Sequence, residues 1–283
     1  MAKTGRQGGL GMLSHIWNPW HGCKKYSEGC AHCYMYYLDA QRDRDGSVIY
    51  KVKSNFDLPL KKTKDGAYRI PSGATVHVCL TSDFFLEEAD EWREEAWLII
   101  KNRPDLRFWL QTKRAERVLQ CLPRDWGEAY RHVSICFTAE NQKRADERLP
   151  ILAELPFAEK HVMCAPMLSE ITLEKWLRTG QIGKVLADGE NYDGDRVLRY
   201  EWVKKLYDEC VACGVEFDFV GTGNYFYKDG KTYRVPKAYQ RVMALRSGLQ
   251  FPPRNADVPV RKKCAGCPRN ASCGGCKQCG KCR

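Results

Sequence analysis

From residue 75 onward, short apolar segments alternate with amphipathic ones, and this alternation limits the folds open to the chain. The apolar segments predict strands, and the amphipathic segments predict helices between them. The predicted strands cover residues 75–81, 107–111, 132–137, 160–164, 184–187 and 215–220. The predicted helices lie near residues 87–103, 113–121, 141–154, 170–178 and 199–213. Continuously apolar strands are typical of a parallel sheet that is covered on both faces.

Residues 15–42 add a strand-like segment, a loop with three cysteines and a helix over residues 31–42. The pattern predicts an α/β fold, as a full or partial TIM-type (β/α) barrel of parallel strands. A doubly wound open sheet is the alternative. The barrel domain is expected over residues 1–250, with a polar excursion at residues 43–72. A hairpin with an Asp-Gly turn is predicted at residues 225–233, and residues 251–283 form a linker and a cysteine-rich tail.

Each predicted strand ends in small or polar residues. In a parallel barrel these carboxyl ends converge on one mouth, where active sites are built. The same residue types also cap helices, so each one has a purely structural alternative. The strand ends are Thr81-Ser82-Asp83, Gln111-Thr112-Lys113, Thr138-Ala139-Glu140-Asn141, Asp188-Gly189-Glu190-Asn191 and Thr222-Gly223-Asn224.

The chain contains 15 cysteines, more than an ordinary cytosolic enzyme needs. The sequence has no apolar run long enough for a membrane span and no secretory signal, so a cytoplasmic protein without a membrane partner is expected. In a reducing compartment, metal ligation explains clustered cysteines better than disulfides do. Three cysteines lie at 23–33 and six at 264–282, while Cys79, Cys136 and Cys164 fall inside predicted strands as buried apolar residues.

Cys23, Cys30 and Cys33 follow the spacing C-x6-C-x2-C. Three thiolates on one loop can bind three irons of a [4Fe–4S] cluster and leave the fourth iron open to a substrate or cofactor. The alternative is a structural zinc site in which His21 or His32 supplies a fourth ligand.

These residues belong to a series of phrases that resembles an uncharacterised bacterial and phage-associated family from about Trp17 to Leu249. Its three-cysteine loop is similar to that of the radical S-adenosylmethionine (SAM) enzymes, although the commonest spacing there is C-x3-C-x2-C. The phrases are WNPWHGC, GCAHCY, SDFF, QTKRAER, TAENQKRADERLP, DGEN and WVKKL.

The resemblance implies a [4Fe–4S] cluster on Cys23, Cys30 and Cys33, with SAM on the open iron. It further implies reductive cleavage of SAM to a 5′-deoxyadenosyl radical, hydrogen abstraction from a substrate, and an electron donor such as a flavodoxin or ferredoxin. By position at the strand ends, the residues expected to contact SAM are Ser82, Asp83, Thr138, Glu140, Asn141 and Glu190. The sequence singles out no catalytic acid or base.

The tail carries six cysteines in repeated C-x2-C pairs, a pattern typical of metal sites. They suit either a second iron–sulfur cluster or zinc in a small knuckle. The tail ligands are Cys264, Cys267, Cys273, Cys276, Cys279 and Cys282.

The formal net charge is +11, and residues 261–283 contribute seven basic residues and no acid. A basic tail of this kind either meets phosphate or is solvated. The cysteine loop and the resemblance lead us to expect a radical SAM enzyme. The basic tail and the phage-associated relatives favour a nucleic-acid base as its substrate, with a peptide or small metabolite as the alternative substrate. The alternative function is a zinc-stabilised nucleic-acid-binding protein without radical chemistry.

Overall fold

The computed structural model describes residues 14–127 and 130–252. Within these ranges the chain forms strands β1 (Ser14–Trp17), β2 (Trp20–His21), β3 (Tyr50–Lys51), β4 (Thr75–Val78), β5 (Arg107–Thr112), β6 (Val133–Thr138), β7 (Glu159–Cys164), β8 (Ile182–Asp188), β9 (Leu198–Arg199), β10 (Glu216–Gly221), β11 (Tyr225–Lys228), β12 (Lys231–Arg234) and β13 (Gln250–Phe251). The α-helices are α1 (Tyr34–Ala40), α2 (Asp90–Lys101), α3 (Gln142–Glu154), α4 (Glu174–Leu177), α5 (Tyr200–Cys213) and α6 (Lys237–Arg246).

Eight strands form the principal sheet, in the spatial order β1-β4-β5-β6-β7-β8-β10-β13. The first seven run parallel and follow one another in chain order, and β13 is the last strand, antiparallel to β10. A doubly wound sheet reverses its strand order at a switch point, whereas this sheet winds in one direction only. Within the described ranges no pairing joins β1 to β10 or β13, so the sheet is open. The predicted α/β class is confirmed.

The two faces of the sheet differ, which corrects the expectation that both are covered. One face packs against the helices in a single apolar core, whose members include Val76, Phe108, Leu110, Ile135, Phe137, Val162 and Val185 from the strands and Trp97, Leu149 and Leu206 from the helices. The other face carries polar and half-buried side chains, among them His77, Trp109, Gln111, Met163, Lys184 and Leu186. In β4, β5, β8 and β10, alternation sends buried apolar side chains to the helices and polar or half-buried ones to the other, open face, whereas all six residues of the central strand β6 are buried.

The six strands predicted from residue 75 onward are confirmed to within a few residues, but two helices differ from prediction. Residues 113–121 form two short 3₁₀ turns instead of an α-helix. Here the Arg114 N–H donates to the Thr112 hydroxyl (2.9 Å), a local bond that competes with helix formation. The helix predicted at 170–178 is only α4, because the Leu173 N–H donates to the Glu209 carboxylate of α5 (2.7 Å).

Smaller sheets lie beside the principal one. Strands β11 and β12 form the predicted hairpin, and the turn residues Asp229 and Gly230 have positive φ angles of 51° and 78°. Strand β9 pairs with β11 to complete a three-stranded sheet in the order β12-β11-β9. Within the predicted excursion at 43–72, β3 pairs with β2, just before the first cysteine.

Candidate functional site

The cysteine loop, residues 22–33, joins β2 to α1. Cys23 follows β2, Cys30 ends a 3₁₀ turn, and Cys33 occupies the N-cap position of α1. All three thiols are free and partly buried. The loop therefore presents three cysteines without burying any of them in the core.

Contacts within the first fifty residues fix the start of this loop. The Cys23 N–H donates to the Gly46 carbonyl (3.0 Å), and the Tyr36 hydroxyl donates to the Cys23 carbonyl. Gly22 has a φ of 87°, and a Cβ at this position would lie 2.2 Å from the Val48 carbonyl oxygen. Only glycine fits here, because both the backbone angle and the close approach exclude a side chain.

The carboxyl end of β4 binds the loop directly. The Ser82 hydroxyl donates to the Gly22 carbonyl (2.5 Å), and the Gly22 N–H donates to the Thr81 carbonyl (3.1 Å). Ser82, predicted to contact a cofactor, thus lies beside the loop and anchors it.

Asp83 organises the ends of β4 and β5. Its buried carboxylate accepts hydrogen bonds from the Thr112 hydroxyl (2.8 Å), the Lys113 N–H (3.2 Å) and the Arg114 guanidinium (3.3 Å). Arg114 continues to the loop, where it donates to the Lys24 carbonyl (2.8 Å) and lies 4.0 Å from the Cys23 sulfur. Asp83 therefore positions a cation against the first cysteine.

Glu140, at the end of β6, binds the middle of the loop. The side chain is fully buried, and its carboxylate accepts from the Ser27 hydroxyl, the Gly29 N–H (3.4 Å) and the Arg148 guanidinium (2.7 Å). Burial alone would raise the pKa of Glu140, but Arg148, Lys113 and the Ser27 hydroxyl outweigh it and hold the pKa below its ordinary value. Glu140 is therefore ionised at neutral pH and ties the loop to β6.

Glu190, just after β8, reaches the loop through Arg196. The Arg196 guanidinium binds both oxygens of the buried Glu190 carboxylate (3.0 Å each) and donates to the Glu28 carbonyl (3.0 Å). The Glu28 side chain in turn forms a two-bond ion pair with Arg144 of α3 (2.9 and 3.0 Å).

The other predicted mouth residues differ in their roles. Asn141 is the N-cap of α3, with its side-chain oxygen accepting from the Arg144 N–H (2.9 Å). For this residue the helix-cap alternative is confirmed. Thr138 is fully buried, and its hydroxyl has no hydrogen-bond partner in the described part of the chain. The Thr138 hydroxyl is therefore enclosed in the interior of the fold without a bonding partner among the described residues.

Electrostatic surroundings raise the pKa of two loop thiols. The pKa of Cys23 is raised to about 12 by burial, by the Asp83 carboxylate and by the neighbouring cysteines, and Arg114 opposes this rise. For Cys33 burial also raises the pKa, while Lys113 and the N–H groups of Met35 and Tyr36 oppose this. A bound cation would oppose the effect of burial and deprotonate these two thiols.

Asp188 is a candidate that the sequence alone did not single out. It is the last residue of β8, and its Oδ1 atom is buried without a hydrogen-bond partner in the described residues. Burial raises its pKa to about 7 despite Lys237, the Gly189 N–H and Arg241. The neighbouring strand approaches so closely that a Cβ at Gly221 would lie 2.7 Å from Oδ1. The Asp-Gly pair after an apolar segment was the only sequence signal for this residue.

The remaining cysteine predictions have separate outcomes. Cys79, Cys136 and Cys164 are buried, as predicted. Cys136 and Cys164 lie in β6 and β7, whereas Cys79 lies just beyond the end of β4, with a φ of 58°, and not inside a strand as expected. The six tail cysteines, and the metal predicted for them, lie outside the described residues.

Fold and site together define an α/β protein with a cysteine-bearing loop fixed over the carboxyl edge of a singly wound parallel sheet. Over residues 9–279 the chain matches the family described as "Protein of unknown function (DUF5131)", and it belongs to that family. Comparison with curated proteins and with solved structures gives no match. None of the helices in the described residues has the length and apolarity that crossing a membrane requires.

Proposed function

We propose that this protein is a radical SAM enzyme whose cluster is bound by Cys23, Cys30 and Cys33. When bound, a [4Fe–4S] cluster with SAM supplies reductive cleavage of SAM and a 5′-deoxyadenosyl radical that abstracts hydrogen from the substrate. An external electron donor of the flavodoxin or ferredoxin type completes the proposal, and the substrate is a nucleic-acid base.

One observation carries the proposal: the cysteine loop lies on the edge of the sheet where parallel α/β folds place their active sites. Side chains from the ends of β4, β5 and β6 bind it directly, through Ser82, Arg114 and Glu140. A loop that only stabilised the fold would not need anchors from three successive strand ends. The one-directional strand order and the open polar face further support a partial TIM-type barrel.

The three loop thiols do not lie as close together as three ligands of a single zinc ion. Four ligands at the usual Zn–S distance of about 2.3 Å lie less than about 4 Å apart. Among the described residues, His32, Glu190 and Asp195 have possible ligand atoms within 4.8 Å of one another. The three thiols do not form such a set. His21, one proposed fourth zinc ligand, is hydrogen-bonded through Nε2 to Asp39 (2.6 Å), so only its Nδ1 atom could bind a metal.

The chain's own residues would hold and tune the cluster loop. Arg114 places a positive charge 4.0 Å from the Cys23 sulfur, which favours the thiolate form. Ser82 and Glu140 bind the loop and would hold its cysteines in position around the group.

The test is anaerobic purification followed by iron and zinc analysis and EPR of the dithionite-reduced protein, with and without SAM. To isolate the loop from the tail, all six tail cysteines are changed to serine. We expect about four irons per chain in this variant and an EPR signal that SAM alters.

Cys30→Ala should abolish both the iron and the signal, whereas Cys121→Ala, a partly buried cysteine outside the loop, should retain them. Zinc without iron after reconstitution, and no effect of SAM, would exclude the enzyme and favour the zinc-stabilised nucleic-acid binder.

A further inference from the structure

Positive charge in the described chain is concentrated near its C-terminal end. Residues 1–224 contain 32 basic and 33 acidic side chains and are therefore nearly neutral. Residues 225–252 contain six basic side chains and a single acid, Asp229. This excess is separate from that of the basic tail.

One face of the small sheet β12-β11-β9 combines Arg234 of this segment with Arg199 of the preceding part of the chain. Its inner face carries Leu198 and Phe226, which are opposite each other in the register and buried. The outer face consists of the alternate residues, in which Arg199 and Thr232 flank Tyr227, and Arg234 lies opposite Tyr225.

This outer face combines cations and aromatic rings without an acid. The Arg199 guanidinium lies 4.2 Å from the centre of the Tyr227 ring. Arg199, Thr232 and Arg234 are exposed, and both tyrosines are half-buried. A flat surface of this composition can pair arginines with phosphates while tyrosine rings stack on bases.

The sheet is fixed at the mouth of the cysteine-loop site. Asn224 immediately precedes β11, and its N–H donates to the Glu190 carbonyl (2.7 Å). Its side-chain amide donates to the Tyr192 carbonyl (2.6 Å), and the Val235 N–H after β12 donates to the Asn224 carbonyl (2.8 Å). A nucleic-acid strand bound on this small sheet would therefore run beside the polar carboxyl ends of the β-strands.

We propose that the face formed by Arg199, Tyr225, Tyr227, Thr232 and Arg234 binds single-stranded nucleic acid. Unpaired bases can stack on the two tyrosines, which the paired bases inside a duplex cannot do. The inference goes beyond the proposed radical chemistry and does not depend on the cluster. If both hold, it restricts the nucleic-acid substrate of the proposed enzyme to single strands.

The experiment measures fluorescence anisotropy of a dye-labelled mixed-sequence single strand, about 20 nucleotides long, with the purified full-length chain at about 50 and 200 mM salt. The wild type should bind the single strand more tightly than the matching duplex, with affinity falling as salt rises. Arg199→Ala/Arg234→Ala should weaken binding about tenfold or more and reduce the salt slope by about two. Tyr225→Ala/Tyr227→Ala should weaken it about fivefold or more with the salt slope unchanged.

The matched control is Arg107→Ala/Arg124→Ala, which also removes two exposed arginines but lies outside the small sheet. Equal losses in the control and in the Arg199/Arg234 variant would overturn the inference and assign binding to overall charge or the tail. Equal affinity for duplex and single strand, or no binding up to about 100 µM at low salt, would overturn it as well. Circular dichroism and thermal unfolding confirm that each variant is folded. Because the binding assay needs no iron, a negative result leaves the cluster proposal unaffected.

Discussion

Two buried carboxyl groups at the strand ends have opposite electrostatic surroundings. Glu140 has Arg148 as a bonded partner at 2.7 Å and a lowered pKa. Asp188 has an unpartnered oxygen among the described residues and a pKa of about 7. The first group contributes to the anchoring of the loop, whereas the second is less stable in its charged form. A carboxyl group of the second kind is typical of a functional position.

Asp188 should make the protein less stable as pH rises. In the unfolded chain an aspartate loses its proton near pH 4, but folded Asp188 retains it until about pH 7. The folded state therefore binds more protons between these values, and the free energy of unfolding falls across this window. Asp188→Asn should remove that fall and raise the melting temperature at pH 8 by several degrees, with little effect near pH 4.

Urea unfolding at a series of pH values measures this slope. Asp193→Asn, an exposed aspartate five residues away, serves as the control and should keep the wild-type slope. An unchanged slope in Asp188→Asn would mean that the carboxyl ionises normally in the folded state.

Glu140→Gln should destabilise the fold strongly, because it leaves the buried Arg148 without a charged partner. Breaking one side of a buried ion pair costs about 3–5 kcal/mol. Glu147 lies on α3 beside Arg148 and forms an ion pair with Arg144 near the surface. Glu147→Gln removes this pair and should cost less than about 1 kcal/mol. Denaturant unfolding of both variants gives the comparison, and similar losses would contradict the role assigned to Glu140.

At the scale of elements, the cysteine loop depends on its backbone. Gly22→Ala should destabilise the protein, since a Cβ would overlap the Val48 carbonyl, and under the proposed function it should also lower the iron content. Gly66→Ala is a close control, because Gly66 has a similar φ of 82° but nothing within 4 Å of the added Cβ. Both variants bear the cost of a left-handed alanine, about 1 kcal/mol, and only Gly22→Ala should exceed it. Thermal unfolding and iron content measure the difference; equal losses would show that the overlap is relieved.

Helix α3 depends on its cap. Asn141→Ala should lower the free energy of unfolding by about 1 kcal/mol, and Asn141→Ser should restore most of it, since serine also caps helices. Isothermal titration with SAM on the reconstituted protein separates this role from cofactor binding. Weaker SAM binding by Asn141→Ser, with stability restored, would show a contact to the cofactor beyond the cap.

At the scale of the whole molecule, the sheet is covered on one face and open on the other. Two neighbouring residues of β8 report on this difference, because Val185 is fully buried under the helices and Leu186 lies half-buried on the open face. Val185→Ala should cost about 2 kcal/mol and Leu186→Ala less than about 1 kcal/mol, although leucine loses more atoms. Denaturant unfolding checks the order, and a larger loss for Leu186→Ala would mean that the second face is covered, as in a closed barrel.

The sequence by itself determined the features that depend on neighbours along the chain. The alternation of strands and helices, the Asp229-Gly230 turn and the spacing of Cys23, Cys30 and Cys33 all follow from local pattern. The polar strand ends were also recognisable, because parallel strands place their carboxyl ends at one edge.

Only the tertiary structure decided what those polar residues contact. Asp83 binds Arg114, which is 31 residues further along the chain, and Glu140 binds Ser27, from which it is separated by 113 residues. The periodic patterns of helices and strands carry no information over such separations in sequence. The same holds for the open face, since a half-buried tryptophan such as Trp109 looks like a core residue in the sequence. Contacts of this kind depend on how the sheet packs, and the physical reason is that burial and hydrogen bonding are satisfied by whichever groups the fold brings together.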